Sequence, residues 1–190
     1  MFNSPLPREK FPDALTFEQI VGQAAEEGRD GPWRDRYSLL ELDADQHRLV
    51  ASFTRDMNVL CMTGPWCGDC ALQGAAMQRI SEANPDRIRL RFLNRNDHAE
   101  LQTQFPVNGG FRVPVTFFMS EDFHAVSIFA DRSLSRYRSI ARKAFGEDAP
   151  VVAAPPENPV REVLNETLLE FERVHLILRL STRLRQAHGD

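Results

Sequence analysis

No run of about 18 or more apolar residues occurs anywhere in the 190-residue chain, so nothing in it reads as a membrane-spanning helix. Cysteine is scarce. The three present, Cys61, Cys67 and Cys70, are too few for a scaffold held by disulfides, and the core must be hydrophobic. A basic excess is also missing. The net charge of -4 argues against a nucleic-acid partner, because a phosphate backbone is bound by a positive surface. The N-terminus, Met1 to Phe17, has no basic start followed by an apolar stretch, so no secretory signal is read and a cytoplasmic location is expected. Lysine is nearly absent beside arginine, a compositional habit given no functional weight. What is present is a hydrophobic share of 42 %, ordinary for a globular protein and enough for a core.

The pattern divides the chain into four stretches: 1–56, 57–146, 147–159 and 160–188. Pro5, Pro7 and Pro12 make residues 1–12 an irregular arm. Leu15, Phe17, Ile20, Val21 and Ala24 recur at helical spacing, and Ala44 to Arg55 repeats it with Leu49, Val50 and Phe53; Trp33 to Leu42 is ambiguous. Residues 1–56 thus form a helical N-terminal extension. Asn58 to Met62 is a short apolar run, read as a buried strand. Gly68 to Ala83 is helical, and Ile88, Leu90 and Phe92 alternate with Arg87, Arg89 and Arg91 as a strand with one wet face. A short helix follows from Asp97, placed to cap it. Val113 to Met119 and His124 to Ala130 form a hairpin, and Ser133 to Phe145 a helix ended by Gly146. Four prolines make 147–159 a linker. Val160 to Ala187 reads as one helix about 40 Å long. Its apolar stripe, Val160 to Leu184, is broader than one contact needs. It packs within the chain or forms an interface between two copies.

Chemistry concentrates at Trp66-Cys67-Gly68-Asp69-Cys70, after a predicted strand and at the opening of a predicted helix. Unpaired N–H groups there favour an anion, so a thiolate at Cys67 is stabilised. Cys67 is placed to attack a disulfide and Cys70, one turn on, to resolve the mixed disulfide, with no cofactor. A zinc site would need four ligands. Beyond the pair, only Cys61 and scattered histidines remain, without ligand spacing, and no metal is expected.

The order strand, CxxC, helix, strand, helix, hairpin, helix, with Trp66 before the first cysteine, resembles the thioredoxin superfamily over Met57 to Gly146. The resemblance implies an α/β fold with a central mixed sheet flanked by helices. It also implies a cis-proline at Pro114 in Arg112-Val113-Pro114-Val115, with Val113 pairing its backbone to a bound substrate. Trp66-Cys67-Gly68-Asp69-Cys70, followed by Leu93-Asn94-Arg95-Asn96-Asp97-His98 and then Asn108-Gly109-Gly110 ahead of Pro114, is similar to a bacterial thioredoxin-like group. Asp69 stands where the family keeps proline, Cys61 where it keeps a buried aspartate, and Phe92 where a partnering lysine lies. Two readings of Asp69 stand. It is a first-turn acid that stabilises the helix, or it raises the cysteine pKa values and accepts a proton in place of the missing aspartate. Cys61 reads as a core thiol, and Trp66 and Gly68 as substrate-facing.

The function expected is a thiol–disulfide oxidoreductase. It acts on a disulfide-bearing protein or low-molecular-weight thiol and is recycled by a reductase or oxidant that the sequence does not name. The alternative is a redox-silent or redox-sensing adaptor whose helical appendages hold a partner.

Overall fold

The computed structural model describes residues 4–146 and 153–189. The first part of the expected linker therefore lies outside the described residues. Four strands form one sheet: β1 (Met57–Thr63), β2 (Ile88–Asn94), β3 (Val115–Met119) and β4 (Ala125–Ala130), in the order β2-β1-β3-β4. β1 runs parallel to β2 and antiparallel to β3, and β3 and β4 form the antiparallel hairpin. The sheet is mixed and flanked by helices, as expected.

β1 is buried along its whole length because both faces are covered, which is why Val59 to Met62 is an unbroken apolar run. Side chains alternate between the two faces. Val59 and Cys61 join the larger core with Phe92 and Phe118. Leu60 and Met62 join a smaller one with Leu93, Phe105, Val115 and Phe117. Arg87 just before β2 and Arg89 on it lie exposed and reach Asp56, the wet face that the alternation implied.

Among the described residues the helices before the sheet are α1 (Leu6–Lys10), α2 (Phe17–Glu26), α3 (Gly31–Leu39) and α4 (Ala44–Ala51). The short α1 corrects the expected irregular arm: Pro7 sits in its first turn, where a missing N–H costs nothing. The ambiguous Trp33–Leu42 stretch is helix as far as Leu39. Leu15 exchanges two backbone hydrogen bonds of 2.8 Å with Phe92 and so covers part of the sheet edge. Ile20, Ala24, Trp33 and Val50 are fully buried in the core that faces α5 (Gly68–Glu82).

Past β2, a 3₁₀ turn (Arg95–Asp97) leads to α6 (Ala99–Gln104). Asp97 does not cap α6. It ends the turn, and α6 starts after His98 with no side-chain cap; Asn94 accepts from the Asn96 N–H instead. After the hairpin, α7 (Leu134–Phe145) stops at Gly146, whose φ of 85° suits glycine.

The C-terminal segment is two helices rather than one, α8 (Pro159–Leu180) and α9 (Thr182–His188). Ser181 takes an extended backbone between them, and its hydroxyl accepts from the Leu184 N–H, a start signal that the apolar stripe masked. α8 packs within the chain. Val163, Leu164, Phe171 and Val174 are fully buried in the larger core, while Leu169, Leu176, Ile177 and Leu180 stay exposed on its outer face. Glu166 of α8 accepts from the N–H and hydroxyl of Ser135 and so holds the start of α7. No described helix is long and apolar enough to cross a membrane.

Candidate active site

The site grows out of the end of β1. Gly64 follows Thr63, and a side chain there would put its Cβ 2.7 Å from the Trp66 ring, so only glycine lets the indole fold onto the backbone. Trp33 of α3 holds this turn from below, its indole N–H donating to the Pro65 carbonyl at 2.9 Å. Cys67 then caps α5 with φ -90° and ψ 117°, and its sulfur accepts the Cys70 N–H at 3.3 Å. Across from it lies the Val113 carbonyl, 3.8 Å from the same sulfur, in a Val113–Pro114 peptide that is cis. Cys67 is partly exposed and Cys70 fully buried; both are free thiols.

Opposite shifts follow for the two sulfurs. A hydrogen bond from the Cys70 thiol is the largest influence on Cys67. With the backbone N–H groups of Cys70 and Asp69 it outweighs partial burial and the Asp69 charge, and the Cys67 pKa comes down to about 7. Burial pushes Cys70 well up, and an ionised Cys67 beside it pushes the same way. The Thr63 hydroxyl, buried and otherwise without a hydrogen-bond partner, pulls against that rise. Cys61 lies fully buried on β1 beside Phe92, and burial raises its thiol to about 12. A thiol beside a phenyl ring thus stands where the family resemblance implied a buried ion pair.

Asp69 is nearly buried, and each of its carboxylate oxygens accepts from a different guanidinium. Arg132 Nε donates to Oδ2 at 2.5 Å and Arg136 Nε to Oδ1 at 2.7 Å. Arg132 sits on the loop before α7 and Arg136 in its first turns. Next to them Asp131, also buried, accepts from Arg112 at 3.2 Å and from the Tyr137 hydroxyl. Burial raises its pKa, but these donors outweigh that and hold it low. Gln73 of α5 donates to the Asp131 carbonyl at 3.0 Å, and the Ala130–Asp131 peptide is cis.

The residues singled out from the sequence converge here. Cys67, Gly68, Asp69 and Cys70 open α5; Val113 faces Cys67, and Pro114 is buried behind it. Trp66 is half-buried, with the Arg95 guanidinium 5.1 Å over its ring, and Arg95 also donates to the Phe111 carbonyl at 2.5 Å. Thr63, Trp33, Arg132 and Arg136 were not singled out, and Arg95 only as part of the motif Leu93 to His98. Nothing local marks one arginine among so many, and which of them reach Asp69 depends on how α7 lies across the sheet.

A strand ending in a helix-capping cysteine pair, opposite a cis-proline strand on a mixed four-stranded sheet, defines the thioredoxin-like class. The thioredoxin family model matches residues 14–141, more than half of the chain, and the chain belongs to that family. The match includes α2 to α4 along with the sheet. Two solved structures share the fold at 17 % identity, each covering 88 % of this chain and 95 % of its own. One is a protein of unknown function, PA1234, from Pseudomonas aeruginosa (TM-score 0.63), and the other an HIV epitope-scaffold (TM-score 0.59). No curated protein matches the chain.

Proposed function

We propose that the protein is a thiol–disulfide oxidoreductase. The observation that carries this reading is the asymmetry of the pair: a partly exposed Cys67 ionised near neutrality, directly against a buried Cys70 held as the thiol. The Cys67 thiolate attacks one sulfur of a substrate disulfide. A bond forms from Cys67 to that sulfur, and the other sulfur leaves as a thiolate. Cys70 then attacks Cys67, closing the Cys67–Cys70 disulfide and releasing the second substrate thiolate. The substrate is reduced and the pair is oxidised; the Cys70 proton passes to one product sulfur, and the other leaves as a thiolate that takes its proton from water. Val113, with its carbonyl beside the attacking sulfur, presents the substrate backbone together with Pro114, and Trp66 and Gly68 border the approach.

Asp69 tunes the pair. Its charge opposes the Cys67 thiolate, and the two arginines on it limit that opposition. The sequence Trp66 to Cys70, with Asn108-Gly109-Gly110 ahead of Pro114, supports placing the chain in the bacterial thioredoxin-like group with that motif. The test is to incubate the Cys70→Ser variant with a protein disulfide and to assay the wild type for turnover with a dithiol reductant. A mixed disulfide on Cys67, found by mass spectrometry, together with turnover is the expected result. Absence of both overturns the proposal and leaves the redox-silent adaptor.

A further inference from the structure

Among the described residues, two arginines that pair with no carboxylate stand beside Cys67 and Trp66, although the whole chain is acidic. Arg29, in the turn between α2 and α3, forms one wall of an open cavity of about 190 Å³ whose other side is Trp66, Cys67 and Gly68. Arg95 lies over the Trp66 ring, and Arg112 precedes Val113. Arg132 and Arg136 hold Asp69. Arg29 therefore borders Cys67 and Arg95 its neighbour Trp66, and the other three lie about Asp69 and Asp131. The two carboxylates among them, Asp69 and Asp131, are buried and already engaged by Arg132, Arg136 and Arg112. Asp30, beside Arg29, is paired with Arg34. Among the described residues no carboxylate pairs with Arg29, which is exposed, or with Arg95.

We infer that the substrates are disulfides carrying a carboxylate close to the reacting sulfurs. The inference rests on the oxidoreductase reading above and names its substrate class. Guanidinium binds carboxylate with two parallel hydrogen bonds, and an excess of one sign beside a cleft raises the local concentration of the opposite charge. The cavity admits a short acid chain from the scissile sulfur toward Arg29. Arg95, resting on Trp66, meets an acid on the other side. The chemistry is unchanged: the thiolate of Cys67 displaces one sulfur of the anionic disulfide, Cys70 displaces the second, and a dithiol in the assay restores the pair.

The experiment uses three small disulfides, dithiodipropionate, hydroxyethyl disulfide and cystamine, which are anionic, neutral and cationic. Turnover by the full chain is measured at low and high salt, each rate divided by that of free mercaptoethanol to remove the intrinsic reactivity of the disulfide. The expected result is a kcat/KM about tenfold higher for the anionic than for the neutral compound at low salt, the lower end of electrostatic steering. The cationic compound is expected last. The advantage shrinks toward parity at high salt and in Arg29→Gln and Arg95→Gln. Thermal melting of both variants checks that they fold. Turnover of the neutral compound with no anionic advantage, or an advantage untouched by both substitutions, overturns the inference and leaves the oxidoreductase reading standing. No turnover of any of the three overturns the inference, while the oxidoreductase reading is decided separately by the trapping and turnover with a protein disulfide.

Discussion

Cys67 owes its acidity to neighbours that are each within one helical turn, and each contribution is separable by a single substitution. The rate of alkylation by iodoacetamide is expected to rise with a midpoint at about pH 7 in the reduced protein. Cys70→Ala removes the largest support and moves the midpoint up toward the ordinary cysteine value of about 8.5. Asp69→Asn removes an opposing charge and leaves Arg132 and Arg136 unneutralised beside the site, so the midpoint moves down. A midpoint that ignores both changes defeats this account. The aspartate was legible from its place in the motif, either as a first-turn acid or as a tuning group. Its arginine partners were not, because they arrive from a loop and helix more than 60 residues away.

Elements carry the site through close approaches. α3 lies on α5 so tightly that a Cβ on Gly74 would sit 2.6 Å from the Trp33 ring. Gly74→Ala is expected to destabilise by about 1–3 kcal/mol in urea unfolding, the cost of overpacking a fully buried ring. Trp33→Phe keeps an aromatic ring but leaves a void and the buried Pro65 carbonyl unpaired, a loss of at least about 1–3 kcal/mol, and the alkylation rate of Cys67 changes with it. An unaltered rate would show that α3 does not set the active-site turn. α8 is tied down by a titratable group. His175 stacks on Phe53 at 4.3 Å and accepts the Thr54 N–H at 3.1 Å, and burial, reinforced by Arg179, holds its pKa below the ordinary imidazole range. The unfolded chain therefore takes the proton first as pH falls. The stability that neutral His175 contributes is complete above about pH 6.5 and declines as pH drops from there toward its lower folded value. Melting temperatures between about pH 7.5 and pH 5 are expected to fall more in the wild type than in His175→Gln; equal slopes would remove the claim.

For the whole molecule, the helices on either side of the sheet belong to its core. Val163, Leu164, Phe171 and Val174 are fully buried, and each contributes about 1.5–3 kcal/mol on burial. Their sum is comparable to the total stability of about 5–15 kcal/mol that a domain commands. A chain ending at Gly146 is accordingly expected to lose cooperative unfolding, followed by circular dichroism against temperature. A sharp two-state melt from that truncation would mean that the sheet and its first helices suffice. The same scale sets the charge contrast: the chain is acidic overall, yet Arg29 and Arg95 stand beside the reactive cysteine and its tryptophan.

Order and type of most elements were already written in the residues. A period of two with one buried face marks β2, an unbroken apolar run marks β1, and a cysteine pair after a strand marks a helix start, because these signals are local and depend only on which neighbours are apolar. The division between α8 and α9 and the cap of α6 were missed for the converse reason. A single serine outvoted by a leucine stripe, and an aspartate one turn too early, weigh less locally than the packing that places them. Only the folded chain decided which guanidiniums close on Asp69, that Trp33 supports Pro65, and that Arg29 faces Cys67. Those contacts join residues 32 to 67 positions apart, and a pairing at that separation is selected by how helices lie on the sheet, a quantity that no short window of sequence contains.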